Sequence, residues 1–157
     1  MSIIMIVSGG QSGADLGGLR AAKRLGITTG GYMPLGWRTE YGPRPNYAEY
    51  FNLEEWTTSD YKDRTKQNVM VSDGTIICGH RSPGSNATEE FCRSLNKPCL
   101  WITAKKILYG PDPSSVSQLS CWISDYDLQV LNVAGNRESV CLGIEFAVEN
   151  FLMEALS

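Results

Sequence analysis

The sequence has few of the residues that most often hold metals, and those few are spread out. It contains one histidine, His80, and five cysteines, none of which forms a C-x-x-C pair. This pattern argues against a zinc site built from the chain. An odd number of scattered cysteines is typical of reduced, partly buried thiols in a cytoplasmic protein.

Long apolar runs and clusters of positive charge are also absent. The apolar segment 3–7 is too short to span a membrane and has no basic flank, so it is not predicted to be a span or a signal peptide. The formal net charge is −3, with no run of lysine or arginine, which argues against nucleic-acid and membrane-surface binding. We therefore expect a cytoplasmic protein with neither kind of partner.

What the chain does have is the composition of one ordinary globular domain. Its 157 residues are 42% hydrophobic and 20% charged, so disorder and fibrous structure are not expected. Glycine is slightly more frequent than average, with 16 residues. The positions of these glycines in the sequence are therefore the feature that needs an explanation.

Strand-like apolar segments alternate with helix-like amphipathic segments, which is typical of βαβ units. We predict a single domain over residues 1–157, an α/β Rossmann-like three-layer sandwich with a mostly parallel central sheet flanked by helices. Segment 28–60 is irregular and rich in glycine, proline and aromatic residues, and a connection of that length is usually functional. The predicted elements are strand 3–7, helix 14–25, strand 31–33, helix 61–70, strand 75–78, helix 85–95, strand 99–103, a helix capped by Ser114 or Ser115 and reaching Ile123, strand 129–133, and a last helix opened by Glu138 or Ser139.

The first loop, residues 8–15, joins an apolar strand to a helix and is rich in glycine. Glycine lets the backbone approach a ligand closely, and the helix start beyond it offers N–H groups to a phosphate. The spacing is neither G-x-G-x-x-G nor a Walker motif, so it does not indicate a dinucleotide or ATP site of those types. A tight turn without a ligand is the alternative. The candidate binding residues here are Gly9, Gly10, Gln11, Ser12, Gly13 and Asp15.

Two later loops have the same position between a strand and a helix. Because open α/β sheets bind ligands at the carboxyl ends of their strands, the three loops are expected to line one crevice. Arg137 is a candidate anion clamp, and its alternative is a surface arginine paired with Glu138 or another carboxylate. Plain helix capping by Ser85 is the alternative for the second loop. The candidates are Gly84, Ser85, Asn86 and Thr88 in the second loop, and Gly135, Arg137, Glu138 and Ser139 in the third.

The irregular segment 34–42 adds an arginine, an acid and two aromatic side chains. Such a segment can stack on a planar ring and hydrogen-bond its edge. Arg38 and Glu40 are therefore two further candidate binding residues. The aromatic residues Trp37 and Tyr41 are equally compatible with covering the core.

These segments together resemble the molybdenum carrier protein family, a branch of the Rossmann-like superfamily that also contains the LOG-like proteins. The resemblance runs in order over almost the whole chain. This chain departs from the family's usual pattern at Leu35, where members often carry a basic residue, and at Asn136, where they often carry proline. The matching segments are 8–15 (SGGQSGAD), 30–34 (GGYMP) with Gly36, Arg38 and Glu40, then Tyr61, 64–65, 68–69, 72–75, 87–88, 97–100, 132–135 and 137–139.

The resemblance implies that the protein binds molybdenum cofactor, a phosphorylated pterin whose dithiolene holds molybdenum. It implies that the protein carries or protects this cofactor without turning it over, with molybdate as a second candidate ligand. It also implies self-association into a homodimer or homotetramer, and exchange with enzymes that make or accept the cofactor.

Other relatives sense or process nucleotide-derived ligands. The alternatives are therefore a sensor of such a ligand that reports to a partner, and a LOG-like hydrolase of nucleoside monophosphates. LOG-type enzymes carry P-G-G-x-G-T-x-x-E, and the corresponding segment 83–91 lacks two of the glycines and has Phe91 in place of the acid. Glu89 and Glu90 come earlier and point elsewhere on a helix. A hydrolase would need an acid such as Glu40, Asp73 or Glu89, with Arg38, Arg64 or Arg137 holding the phosphate. No matched acid and base are recognisable, which favours binding without turnover.

Overall fold

A five-stranded sheet forms the centre of the molecule in the computed structural model, which describes residues 2–157. The strands are β1 (Met5–Val7), β2 (Thr28–Gly30), β3 (Tyr32–Met33), β4 (Glu54–Glu55), β5 (Gly74–Gly79), β6 (Cys99–Thr103) and β7 (Val130–Gly135). The central sheet has the order β2-β1-β7-β5-β6, and β3 and β4 form a separate two-stranded sheet. Every strand pairing is parallel.

Helices cover both faces of the central sheet. They are α1 (Ala14–Leu25), α2 (Tyr47–Tyr50), α3 (Tyr61–Val71), α4 (Pro83–Ser94), α5 (Pro113–Asp125) and α6 (Ile144–Ala155). The main core packs α1, α5 and α6 against one face, while α4 lies on the other face with α3 beside it. This confirms the predicted Rossmann-like α/β sandwich. Within residues 2–157, no helix has the length and apolar character that a membrane crossing needs.

The direction in which successive strands are added to the sheet changes at its centre, where β1, β7 and β5 lie side by side. From β1 the chain moves outward to β2, from β5 it moves the other way to β6, and β7 returns between β1 and β5. Ligands of open α/β sheets bind outside the carboxyl ends of the strands where such a reversal occurs. The three predicted loops follow these three strands.

Most predicted boundaries agree with the structure, and the helix starts differ most. Helix 14–25 and strand 99–103 are found as predicted. Helix α4 begins at Pro83 because Ser82 caps it, and Ser85 completes a capping box instead of acting as the cap. Helix α5 is capped by Asp112, whose side chain accepts from Ser115 N, so capping by Ser114 or Ser115 was wrong.

The last helix begins at Ile144, so a start at Glu138 or Ser139 was also wrong. The Glu138 carboxylate accepts hydrogen bonds from the N–H groups of Gly143 and Glu145. It therefore serves the first turn of α6 from outside the helix. In the irregular segment, β2, the short α2 and β4 form where no regular element was predicted.

The cysteines are free thiols, as the sequence suggested. Cys78, Cys92 and Cys141 are buried, Cys99 is half-buried and Cys121 is exposed. None forms a disulfide among the described residues.

Helix α1 packs closely because it has glycine where it meets its neighbours. A Cβ on Gly17 would lie 2.4 Å from the backbone oxygen of Glu145 in α6. A Cβ on Gly18 would lie 2.7 Å from Val133 Cβ in β7. The close approach fixes α1, and with it the first loop, against β7 and the third loop.

We therefore expect Gly17→Ala to destabilise the protein although alanine favours helices. The propensity gain is about 1 kcal/mol, but the clash with backbone should outweigh it by about 1–2 kcal/mol. Gly84→Ala is the matched control, because a Cβ there meets nothing within 4 Å. Urea unfolding would measure both variants, and equal midpoints for the two would contradict the close-packing account.

Candidate functional site

A cavity of about 410 Å³ opens at the carboxyl edge of the sheet. Its size lies in the range of about 300–1,000 Å³ that small-molecule sites occupy. The carboxyl half of β7 lines it, together with α3, the start of α4, and the loops after β1 and β7. The lining residues are Gly9, Gln11, Asp15, Tyr61, Arg64, Thr65, Asn68, Ser82, Pro83, Gly84, Ser85, Thr88, Asn132, Val133, Ala134, Gly135, Asn136, Arg137, Ser139 and Val140.

The structure brings the three predicted loops together at this cavity, but not every predicted residue faces it. Those that line it are Gly9, Gln11, Asp15, Gly84, Ser85, Thr88, Gly135, Arg137 and Ser139. Those that do not are Gly10, Ser12, Gly13, Arg38, Glu40, Asn86 and Glu138. Asn86, for example, accepts a hydrogen bond from Arg81 at 3.2 Å on the outer side of α4.

Gly10 and Gly13 shape the turn of the first loop. Both have positive φ, 71° and 83°, which side chains rarely adopt. A Cβ on Gly13 would lie 2.3 Å from the backbone oxygen of Asn136. The predicted alternative, a tight turn without a ligand, therefore explains why both positions are glycine, together with the close contact of Gly13 with the third loop.

Several backbone N–H groups of the first loop are occupied within the protein. Gln11 N donates to Asp15 Oδ2 at 3.2 Å and Ser12 N to Gln11 Oε1 at 3.0 Å. Ala14 N, at the start of α1, donates to Asn136 O at 3.0 Å. These three groups are therefore not free to bind a phosphate, whereas the N–H of Gly9, which lines the cavity, has no hydrogen-bond partner among the described residues.

A buried ion pair forms one wall of the cavity. Arg64 Nη1 lies 3.5 Å from Asp15 Oδ2, and the two residues are only 6% and 8% exposed. A Cβ on Gly9 would lie 1.3 Å from the same Arg64 nitrogen, so glycine at this position lets the guanidinium lie against the backbone. Burial raises the pKa of Asp15 and lowers that of Arg64, and their mutual attraction offsets this only in part.

Three guanidinium groups surround the ring of Tyr61 at this wall. Their central carbons lie 4.8 Å (Arg38), 5.5 Å (Arg64) and 5.7 Å (Arg137) from the ring centroid. The predicted alternative for Arg137, a pair with Glu138, is wrong, because that carboxylate binds the start of α6. Among the described residues, Arg64 and Arg137 are the cationic groups of the lining and Asp15 is its carboxylate, which leaves an excess of positive charge.

Glu40 connects two walls of the cavity from outside. It lies at the tip of a narrow loop, residues 36–44, closed by two hydrogen bonds of 3.1 Å between the backbones of Thr39 and Gly42. Its carboxylate accepts hydrogen bonds from the hydroxyl groups of Ser12 and Ser139, and from Ser139 N at 3.2 Å. The 36–44 loop therefore ties the first loop to the third.

The acids that a hydrolase would need lie elsewhere. The Glu89 carboxylate is held by Arg81, at 3.1 Å, and by the indole N–H of Trp101. Asp73 is at the opposite edge of the sheet, where it accepts from the N–H groups of Gln129 and Val130. Neither lines the cavity, and nor does Glu40. Residues 2–157 contain no group of three or more His, Cys, Asp or Glu side chains arranged for a metal ion.

The site residues that motif reasoning missed come mostly from α3 and from β7. Asn68 exchanges two hydrogen bonds with the backbone of Tyr32, and this contact sets the position of α3 beside β3. Arg64 and Asn68 are four residues apart and therefore share a helix face, and both are buried. The signal that points to them in the sequence is the family resemblance, which covers both positions.

Together the parallel sheet and the cavity at its point of reversal define a Rossmann-like α/β protein with a candidate ligand site. Residues 6–156 match the model of the circularly permutated YpsA SLOG family, and the chain belongs to this family. The resemblance drawn from the sequence is confirmed at this level. None of the curated proteins matches the chain.

A solved structure is similar over nearly its full length. It is the 1.45 Å crystal structure of a protein from Syntrophus aciditrophicus SB that is named a putative molybdenum carrier protein. The two chains are 37% identical with a TM-score of 0.91, and the match covers 99% of this chain and 96% of the other.

For Glu40, hydrogen bonding controls the ionisation and gives a testable pH dependence. Burial alone would raise its pKa, but the hydrogen bonds from Ser12 and Ser139 outweigh burial, so the pKa lies below its usual value of 4.5. A lowered pKa means that the ionised group stabilises the fold above pH 4.5, and that this contribution disappears as the pH falls through the lowered pKa.

We therefore expect Glu40→Gln to lower the free energy of unfolding by about 1 kcal/mol at pH 7. The difference from the wild type should shrink as the pH falls below 4.5. Urea unfolding from pH 7 to pH 3 measures this, with exposed Glu54→Gln as the control of equal charge change. A Glu40 effect that is independent of pH would contradict the assigned hydrogen bonds.

Proposed function

We propose that the protein binds molybdenum cofactor as a cargo in the cavity at the carboxyl edge of the sheet and holds it without turnover. The similar protein named a putative molybdenum carrier supports this ligand class, because the similarity extends over both full chains. The size of the cavity suits a phosphorylated bicyclic compound.

The observation that carries the proposal is the excess of positive charge on the cavity wall. Arg64 has one partner carboxylate, Asp15, at 3.5 Å, and Arg137 forms no ion pair among the described residues. Guanidinium groups bind phosphate through several parallel hydrogen bonds, and partial burial strengthens them. An anion between these groups would relieve the repulsion between Arg64 and Arg137.

In this proposal each part of the cargo has a place. Arg64 and Arg137 hold the phosphate, and the backbone of β7 with the threonines of α3 and α4 borders the ring system. The cofactor's own dithiolene holds the metal. The 36–44 loop, attached through Glu40, holds the first and third loops together beside the cavity. Leu35 is 46% exposed and outside the lining, so the absence of a basic residue there removes no charge from the cavity.

Binding without turnover is favoured because the cavity offers no free acid. Asp15 is its carboxylate, and its oxygen Oδ2 already accepts from both Gln11 N and Arg64. A nucleoside monophosphate also has a phosphate and a planar ring, so a binding experiment has to compare it with molybdenum cofactor. Self-association into a dimer or tetramer, exchange with cofactor-making or cofactor-accepting enzymes, and the cytoplasmic location stay predictions.

We expect molybdenum cofactor to stabilise the protein more than nucleoside monophosphates or molybdate do. A ligand at one hundred times its dissociation constant adds about 2.7 kcal/mol, which raises the melting temperature by several degrees for a chain of this length. Thermal unfolding with each ligand measures the order. Stabilisation by a nucleotide alone, or release of free base from it, would contradict the carrier proposal.

We expect Arg137→Ala to fold normally and to bind the phosphorylated ligand about 10- to 100-fold more weakly. Hydrogen bonds to charged groups contribute about 1.5–3 kcal/mol, and each 1.4 kcal/mol is about tenfold in affinity. Isothermal titration measures the loss. The control is Arg93→Ala on the outer side of α4, where the arginine pairs with Glu90. Equal affinity in the two variants would remove Arg137 from the binding site.

A further inference from the structure

One buried donor of the cavity wall has no partner in the protein. Gln11 is 6% exposed and lines the cavity, and its side-chain nitrogen Nε2 is buried without a hydrogen bond. Buried polar groups are almost always paired, so an orphaned donor at a ligand site points to a partner that arrives with the ligand.

The orientation of this amide is fixed by its other end. Gln11 Oε1 accepts from Ser12 N at 3.0 Å and from Glu40 N at 2.9 Å. Both partners are backbone donors, so rotation of the amide by 180° would place its NH₂ group against two N–H groups. Nε2 is therefore the amide atom that has no hydrogen-bond partner.

Other polar side chains of the lining are already used within the protein. Thr65 donates to Tyr61 O at 2.8 Å, and Thr88 donates to Gly84 O at 3.1 Å. Asn68 is paired on both sides with the backbone of Tyr32. Gln11 Nε2 differs from these groups because it has no acceptor within the protein.

From this geometry we propose that Gln11 Nε2 donates a hydrogen bond to an acceptor atom of the cargo and selects ligands that present one there. The inference rests on the proposed function. The acceptor is an oxygen of the phosphate or an oxygen or ring nitrogen of the heterocycle. In both cases it has to offer a free lone pair, because Nε2 can only donate.

The 36–44 loop takes part in this selection as a positioning element. Its Glu40 N–H is one of the two donors that hold Gln11 Oε1, and its Glu40 carboxylate binds Ser12 and Ser139. The 36–44 loop therefore fixes the orientation of the Gln11 amide and also connects the two walls of the cavity.

The decisive variant is Gln11→Glu, which keeps an acceptor for Ser12 N and Glu40 N and replaces the donor with a carboxylate oxygen. Without ligand, we expect this variant to be less stable than the wild type, because the new carboxylate is buried near Asp15. With ligand, we expect an affinity at least about tenfold lower, since the acceptor now faces an acceptor. Gln11→Met removes the donor without adding a charge, so a loss of affinity in both variants separates the lost hydrogen bond from charge repulsion.

The probes are a phosphorylated pterin and inorganic phosphate, measured by isothermal titration, with urea unfolding for stability. Gln118→Glu, at an exposed position of α5, controls for the added charge and should bind as the wild type does. Weaker binding of both probes by Gln11→Glu and also by the uncharged Gln11→Met assigns Nε2 to the phosphate. Weaker binding of the pterin alone assigns it to the heterocycle.

The inference is overturned if Gln11→Glu binds both probes within about twofold of the wild type. If that variant does not fold, Gln11→Met replaces it, because methionine neither donates nor carries charge, and unchanged affinity there also overturns the inference. Failure of the wild type to bind the phosphorylated pterin overturns the proposed function as well. Normal wild-type binding with unaffected Gln11 variants overturns only the role of Gln11.

Discussion

The buried pair of Arg64 and Asp15 is the interaction on which the site depends. Two charges taken out of water are tolerated only where their remaining hydrogen bonds are satisfied, and here Gln11 N and Tyr61 O supply two of them. The pair joins α3, which follows the irregular segment, to the first turn of α1. Gly9 has to be glycine because the guanidinium occupies the space of a side chain.

The positive excess on the cavity wall comes from Arg137, because Asp15 compensates Arg64. At 3.5 Å the attraction between Arg64 and Asp15 does not cancel the effect of burial on either group. Arg137 adds a second guanidinium near the same tyrosine ring without bringing a carboxylate of its own. An anionic ligand in the cavity would balance this half-buried charge, whereas a neutral ligand would leave it uncompensated.

Local patterns predicted the frame of this protein and the loops that meet at the cavity. Apolar runs mark the strands, and helix α1 is recognisable from its leucines and from Gly26, which ends it in a left-handed conformation. Local patterns named Arg64 only as a phosphate holder of the alternative hydrolase and did not identify a role for Asn136. The contacts of both residues depend on partners far along the chain: Asp15 for the first, and the backbone of His80 for the second. The start of α6 was missed for the same reason, since the Glu138 side chain reaches forward to the helix from a preceding turn.

The glycine-rich loop shows why a motif of this kind has more than one physical meaning. Glycines before a helix suggest a cradle of free N–H groups, yet Gln11 N, Ser12 N and Ala14 N are all bound within the protein. Gly10 and Gly13 make the turn, and Gly9 makes room for Arg64. In the proposed site the loop would therefore act through the guanidinium that Gly9 admits, through the Gln11 amide and through the unpaired N–H of Gly9. Because the turn itself depends on Gly10 and Gly13, a substitution of Gln11 would alter recognition without disturbing the turn.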